Sequence, residues 1–152
     1  MKRVVLATLI ATLSGVAALT QAQADQASHL TIYKTPWCGC CSAWAEKLKE
    51  AGFSVAINTM EDLDLIKQQL GITDELASCH SALLDGYVLE GHVPLEAIDK
   101  LLDERPKLTG LATPGMPAGS LGMGEPDADT SYVVYGFKSG STQYIPFYKV
   151  GN

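Results

Sequence analysis

The chain is poor in positive charge and in motifs for phosphate or hydrolytic chemistry. It has 11 lysines and arginines in 152 residues against 17 aspartates and glutamates, and its formal net charge is −6. No basic run occurs, which argues against binding to nucleic acid or to anionic membranes. Internal repeats, a phosphate-binding loop, a Ser/His/Asp arrangement and the carboxylate spacing of an acidic metal site are also absent. The residues left to carry chemistry are mainly the four cysteines.

Long apolar runs are absent apart from residues 4–18, which follow two basic residues at the start. This run is short for a membrane span of roughly 20 residues, and small residues at positions 22 and 24 fit a cleavage pattern. The pattern predicts a signal peptide over 1–24 and one exported domain over 25–152, with no membrane contact after cleavage. The alternative is an uncleaved membrane anchor.

The rest of the chain alternates between strand and helix patterns. Asp85-Gly86 is the strongest hairpin signal, and residues 106–130 are rich in glycine and proline and predict a loop. The predicted strands are 29–33, 53–57, 81–84, 87–90, 131–138 and 142–148, and the predicted helices are 42–51, 61–70 and 94–103.

The order strand–helix–strand–helix–hairpin–helix is typical of an α/β domain with a thioredoxin-like fold, here followed by a loop and a C-terminal β-hairpin. The first two strands are then parallel, and the hairpin strands run the other way. This topology returns Cys79, His80 and His92 to the sheet edge where the first strand ends. We therefore expect them to lie near Cys38, Cys40 and Cys41.

Trp37-Cys38-Gly39-Cys40-Cys41 puts three thiols in four residues, where a strand gives way to a helix. Cys38 and Cys41 have the spacing of a redox pair, and the helix N-terminus favours their thiolate forms. The first three residues also match the start of a thioredoxin active site. Cys40 departs from that site, because thioredoxins carry proline there, and a third thiol offers a competing disulfide partner.

A third thiol suits a metal site instead. Thiolates are soft ligands that select Cu(I), zinc or iron–sulfur clusters. Adjacent cysteines at a helix start close awkwardly around one zinc ion, whereas sulfurs that bridge several Cu(I) ions relieve this geometry. The alternative for four cysteines in an exported protein is two structural disulfides, with Cys38–Cys41 and Cys40–Cys79 the favoured pairing.

Four further residues are candidates for additional ligands or for contacts that orient the ligands. His80 and His92 depend on the convergence at the sheet edge. Met116 and Met123 lie in the predicted loop, and their thioethers suit Cu(I). Each has an ordinary alternative, a surface or core role for the histidines and gap-filling for the methionines.

Four motifs together resemble the CopG copper-resistance family, also called domain of unknown function 411: residues 33–41 (YKTPWCGCC), 78–80 (SCH), 86–94 (GYVLEGHVP) and 110–117 (GLATPGMP). The resemblance covers nearly all of residues 25–152. It implies a periplasmic, thioredoxin-like protein that binds copper, as a Cu(I)–thiolate cluster. The ligand positions that it implies are Cys38, Cys40, Cys41 and Cys79.

The resulting hypothesis is a periplasmic copper-binding protein that sequesters Cu(I) or cycles copper between oxidation states, with other periplasmic copper-resistance proteins as candidate partners. The first rival is an enzyme, a thiol–disulfide oxidoreductase in which Cys38 attacks and Cys41 resolves. The second rival is a structural or interaction module with two inert disulfides. Metal binding is favoured over catalysis.

Overall fold

The computed structural model describes residues 28–152, which form one seven-stranded sheet and three helices. The predicted signal peptide, 1–24, lies outside the described residues. The strands are β1 (His29–Lys34), β2 (Ser54–Thr59), β3 (His80–Leu84), β4 (Tyr87–Gly91), β5 (Gly110–Thr113), β6 (Tyr132–Phe137) and β7 (Tyr144–Val150), and the helices are α1 (Gly39–Glu50), α2 (Asp64–Gln69) and α3 (Leu95–Glu104). The predicted α/β class is confirmed. Within 28–152, no helix has the length and apolar character needed to cross a membrane.

The order of strands across the sheet is β2-β1-β3-β4-β5-β6-β7. Two neighbouring pairs are parallel, β1 with β2 and β4 with β5, and the other pairs are antiparallel. Helix α1 connects the first parallel pair and α3 connects the second, as parallel strands require a crossover. The predicted order of elements from β1 to α3 is therefore observed.

The prediction of an uninterrupted loop over 106–130 is wrong, because this stretch contains β5. The strand has only four residues, and all four are buried, so it shows no apolar–polar alternation. Gly110 lies so close to β4 that a Cβ there would collide with the backbone of Val88. Gly110 therefore permits a close approach between the backbones of β4 and β5, and it does not mark a turn.

The main core lies between the sheet and helices α1 and α3. Trp44 and Leu48 are four residues apart on α1, and both are fully buried. Leu101 on α3 is also fully buried. This spacing fixes which face of α1 meets the sheet. It thereby fixes which sulfurs at the start of α1 lie near β3.

The β3–β4 hairpin brings distant residues back to the end of β1. Its turn residues Asp85 and Gly86 both have positive φ, at 49° and 85°, as the predicted Asp-Gly turn requires. Lys34 at the end of β1 pairs with His80, and Ser81 pairs with Glu90. The residues just before β3 and just after β4 are consequently neighbours of the loop that leads into α1.

Candidate metal centre

Helix α1 begins three residues earlier than predicted because Cys38 caps it. Cys38 has an extended backbone, and its Sγ accepts a hydrogen bond from the Cys41 N–H at 3.3 Å. Cys40 and Cys41 therefore lie within the first turn of the helix. Cys38 and Cys41 are joined by a disulfide. The C-x-x-C spacing thus spans one helical turn, with its sulfurs at the positive end of the helix dipole.

Cys79 approaches this turn from the residue before β3. Its Sγ lies 4.0 Å from Cys40 Sγ, and Cys40 Sγ lies 3.5 Å from Cys38 Sγ. All four sulfurs lie within 4.8 Å of one another, so the structure brings the four predicted ligands together. The second predicted disulfide is not formed, and Cys40 and Cys79 are free thiols. A bonded pair of sulfurs would be about 2.05 Å apart.

The thiol of Cys79 is strongly biased towards its protonated form. Burial, together with the neighbouring Cys40, raises the pKa of Cys79 to about 12. A thiolate in this position therefore needs a compensating positive charge. A metal ion would supply that charge and displace the proton, so metal binding at Cys79 would depend on pH.

The imidazole ring of His92 is directed towards Cys79. Its Nε2 lies 3.1 Å from Cys79 Sγ, and its Nδ1 lies 2.7 Å from the carbonyl oxygen of Leu121. A carbonyl can only accept, so Nδ1 carries the hydrogen and a neutral ring keeps a lone pair on Nε2. Burial lowers the pKa of His92, against the opposing effect of the Leu121 carbonyl, and favours the neutral ring.

His80 is the second imidazole at this edge. Its Nδ1 lies 3.4 Å from Cys79 Sγ, its ring packs against Trp44, and its side chain is fully buried. Burial, followed by the charges of His92 and nearby lysines, lowers the pKa of His80 well below its usual value. Its Nε2 has no hydrogen-bond partner among the described residues. Cys79, His80 and His92 therefore form a second, mixed group of donors that shares one sulfur with the first.

The two methionines lie on the segment that follows β5. Met116 is exposed and comes directly after Gly115, whose backbone bridges to Ser78 beside Cys79. Met123 is partly buried and follows Gly122, where a Cβ would lie 2.6 Å from the backbone nitrogen of Trp44. This segment therefore runs across the start of α1. A ligand role for either methionine remains a prediction.

Sequence reasoning missed Glu90 and Lys67, which form an ion pair beside Ser78, the residue before Cys79; Glu90 is fully buried and Lys67 is partly buried. Glu90 also accepts a hydrogen bond from the backbone N–H of Ser78, at 2.7 Å. One signal was available, because Glu90 is a charged residue in a strand that follows two apolar residues. Such a residue requires a partner when both faces of the strand are covered.

The fold and the site together define a small α/β protein with a sulfur-rich centre, of the kind that binds soft metal ions or exchanges disulfides. Residues 76–123 match the family model described as "Protein of unknown function, DUF411". Two solved structures are similar, Copper resistance protein copG in Form 1 (35% identity, TM-score 0.74) and in Form 2 (36%, 0.75). Each alignment covers 82% of this chain. It also covers 98% of the Form 1 chain and 99% of the Form 2 chain. No curated protein matches. The chain belongs to the CopG copper-resistance family.

Proposed function

We propose that this protein binds copper as Cu(I) through the sulfurs of Cys38, Cys40, Cys41 and Cys79, and acts in copper resistance. The observation that carries the proposal is the convergence of these four sulfurs within 4.8 Å, in a chain whose structural relatives are named for copper resistance. Copper is the cargo or the redox substrate. The two forms of the function are sequestration and cycling between Cu(I) and Cu(II).

The donor set fits Cu(I) better than zinc. Four thiolates satisfy a soft ion, and three of them start from one turn of a helix. Sulfurs that bridge several Cu(I) ions suit this crowding, which supports a multi-copper thiolate cluster. His92 Nε2 is available as a further donor, His80 is adjacent, and a thioether from Met116 or Met123 would complete a soft environment.

The disulfide links copper binding to redox state. Cys38 and Cys41 must be reduced before all four sulfurs are available. Conversely, oxidation of these two thiolates to the disulfide releases two electrons, which is enough to reduce two Cu(II) ions to Cu(I). The protein can therefore cycle copper only if another donor reduces its disulfide again, and other copper-resistance proteins are candidate partners.

A periplasmic location and a thioredoxin-like frame are parts of the same proposal. The Cys38–Cys41 disulfide suits an oxidising compartment, and we propose that residues 1–24 direct the domain 25–152 to the periplasm. The order β2-β1-β3-β4, with β1 parallel to β2 and antiparallel to β3, supports a thioredoxin-like frame to which β5, β6 and β7 are added.

Anaerobic titration with Cu(I) tests the proposal. The fully reduced wild type should take up Cu(I) in competition with a chelator, and X-ray absorption should report sulfur ligands. Cys40→Ser should weaken binding more than about 100-fold, beyond the usual cost of losing a contact that orients a ligand. Ser42→Ala is the matched control, since Ser42 is exposed on the same turn and donates to the Cys38 carbonyl. Failure of the reduced wild type to compete for Cu(I) would refute copper binding.

The second candidate function is thiol–disulfide exchange. It is favoured by the disulfide at the helix N-terminus, where Cys38 is the capping residue and the expected attacking thiolate. The metal-free protein should then reduce insulin in the presence of a dithiol. Cys38→Ser should abolish this activity, and Cys40→Ser should retain it. A third candidate, an inert disulfide module, requires a Cys40–Cys79 bond in the isolated protein.

A further inference from the structure

Glu90 is a charged side chain whose two carboxylate oxygens both accept hydrogen bonds. It lies on β4 with no solvent exposure. One carboxylate oxygen, Oε1, accepts hydrogen bonds from the Ser78 backbone and from Lys67. The other oxygen, Oε2, accepts from Ser81 Oγ at 2.5 Å. The carboxylate thus joins α2, β3, β4 and the residue that precedes Cys79.

The contact with Ser78 restrains the backbone that carries Cys79. Cys79 lies between Ser78 and β3, so its backbone is tied on one side to the sheet. On the other side, the Ser78 N–H donates to Glu90 and the Ser78 hydroxyl donates to the Gly115 carbonyl. Gly91 permits this close packing, because a Cβ there would collide with the Ser78 side chain.

Restraint at this point matters because Cys79 is the sulfur that comes from farthest along the chain. Cys38, Cys40 and Cys41 are held together by one helical turn. Cys79 has no such local restraint, yet its Sγ lies 4.0 Å from Cys40 Sγ and 3.1 Å from His92 Nε2. Ligands that are held in place before binding lose less conformational freedom when they bind.

We propose that Glu90 is the positioning residue of the metal centre: by binding the Ser78 N–H, it holds Cys79 beside Cys40 and His92. This inference rests on the proposed function only for its effect on copper. The placement of Cys79 itself can be measured without metal. Lys67 has a different role, which is to balance the charge of the buried carboxylate.

Three variants separate positioning from stability. Lys67→Met removes the ion pair and keeps the Glu90–Ser78 hydrogen bond. Glu90→Gln also keeps an acceptor for Ser78. The double variant Lys67→Met/Glu90→Met removes that acceptor without leaving a buried charge, so it should be more stable than Lys67→Met. Compared with its matched control, Lys67→Met, the double variant should therefore be more stable but should hold Cys79 less well in place.

The metal-free measurement is the rate of disulfide formation between Cys40 and Cys79. In a Cys38→Ser/Cys41→Ser background, oxidised glutathione converts the two thiols to a disulfide and is itself reduced to two glutathione molecules. Lys67→Met and Glu90→Gln should keep the parental rate. The double variant should be on the order of 10-fold slower, because its thiols are no longer held together. Equal rates in the double variant and in Lys67→Met would overturn the proposal.

The copper measurement uses the same variants with all four cysteines present. The double variant should lose about 10- to 100-fold in Cu(I) affinity, whereas Lys67→Met and Glu90→Gln should lose much less. Added to Cys79→Ser, the double substitution should cause almost no further loss, because it acts through Cys79. Additive losses would overturn the proposal. If the wild type does not bind Cu(I), the proposed function fails, and the metal-free rates still decide whether Glu90 positions Cys79.

Discussion

The two ends of the β3–β4 hairpin each carry an ion pair, but one pair is exposed and the other is largely buried. At the turn, Asp85 pairs with Arg105 at 3.1 Å, and their side chains are 35% and 52% exposed. At the other end, Glu90 is fully buried and pairs with Lys67, which is 14% exposed. The first pair contributes little, because local backbone preferences already favour the turn on which it lies. The second pair lies among the residues that surround the thiols, and it depends on contacts between distant parts of the chain.

The largest expected effect is the loss of stability when the buried pair is broken. Lys67→Met leaves Glu90 without a counter-charge in the interior, and we expect the free energy of unfolding to fall by about 3–5 kcal/mol. Arg105→Met breaks the exposed pair and should cost less than about 1 kcal/mol. Urea unfolding of the metal-free protein, with the Cys38–Cys41 disulfide intact, measures both. Similar losses in the two variants would contradict the distinction between the two ends.

The second prediction concerns the pH dependence of stability. It should arise from the histidines at the end of the hairpin near the thiols, called the thiol end. Burial lowers the pKa of both His80 and His92. Above the unfolded pKa of about 6.5, both histidines are neutral in both states, and their contribution to stability is fully present. Below it, the unfolded chain binds protons that the folded protein does not. Stability should then fall by up to about 1.4 kcal/mol per pH unit for each histidine.

Unfolding curves of the metal-free protein between about pH 7.5 and 5.5 test this expectation. His80→Gln should reduce the slope by about one proton, because that residue no longer takes up a proton on unfolding. Ser42→Ala is the control, since it changes an exposed side chain that does not titrate and should leave the slope unchanged. An unchanged slope in His80→Gln would contradict the prediction.

The same contrast explains which parts of the fold the sequence could predict. The Asp85-Gly86 turn has a local cause, namely positive φ at both residues, and its signal is visible in two letters. Strand β5 has no such signal, since its four residues are all buried and lie in a stretch rich in glycine and proline. What makes it a strand is pairing with Val88 to Gly91 of β4 and with β6. These partners are distant in sequence, and no local pattern records them.

The site divides in the same way. Three cysteines were found from spacing alone, and the return of Cys79 followed from the topology of the hairpin. The sequence could flag Glu90 as a charged residue in an apolar strand, but the contacts of Glu90 and Leu121 could not be found from it. Glu90 on β4 contacts Lys67 on α2 and Ser78 before β3, and Leu121 acts through a backbone carbonyl that any residue could supply. Contacts between distant residues therefore need the three-dimensional structure, whereas the candidate sulfur ligands can be found from their residue type and spacing.

The smallest expected effect is on the free energy of unfolding when one glycine near each end is replaced by alanine. Gly86 has a φ of +85°, and a Cβ there would meet no atom within 4 Å, so Gly86→Ala tests backbone strain alone. We expect it to lower the free energy of unfolding by about 1–2 kcal/mol, the cost of the left-handed conformation for a residue with a side chain. Gly39 lies inside the cysteine motif but has an ordinary φ and equally open space. Gly39→Ala should therefore cost nothing measurable in urea unfolding. A loss at Gly39 as large as at Gly86 would mean that the thiol end also depends on its local backbone, and the contrast between the two ends would no longer hold.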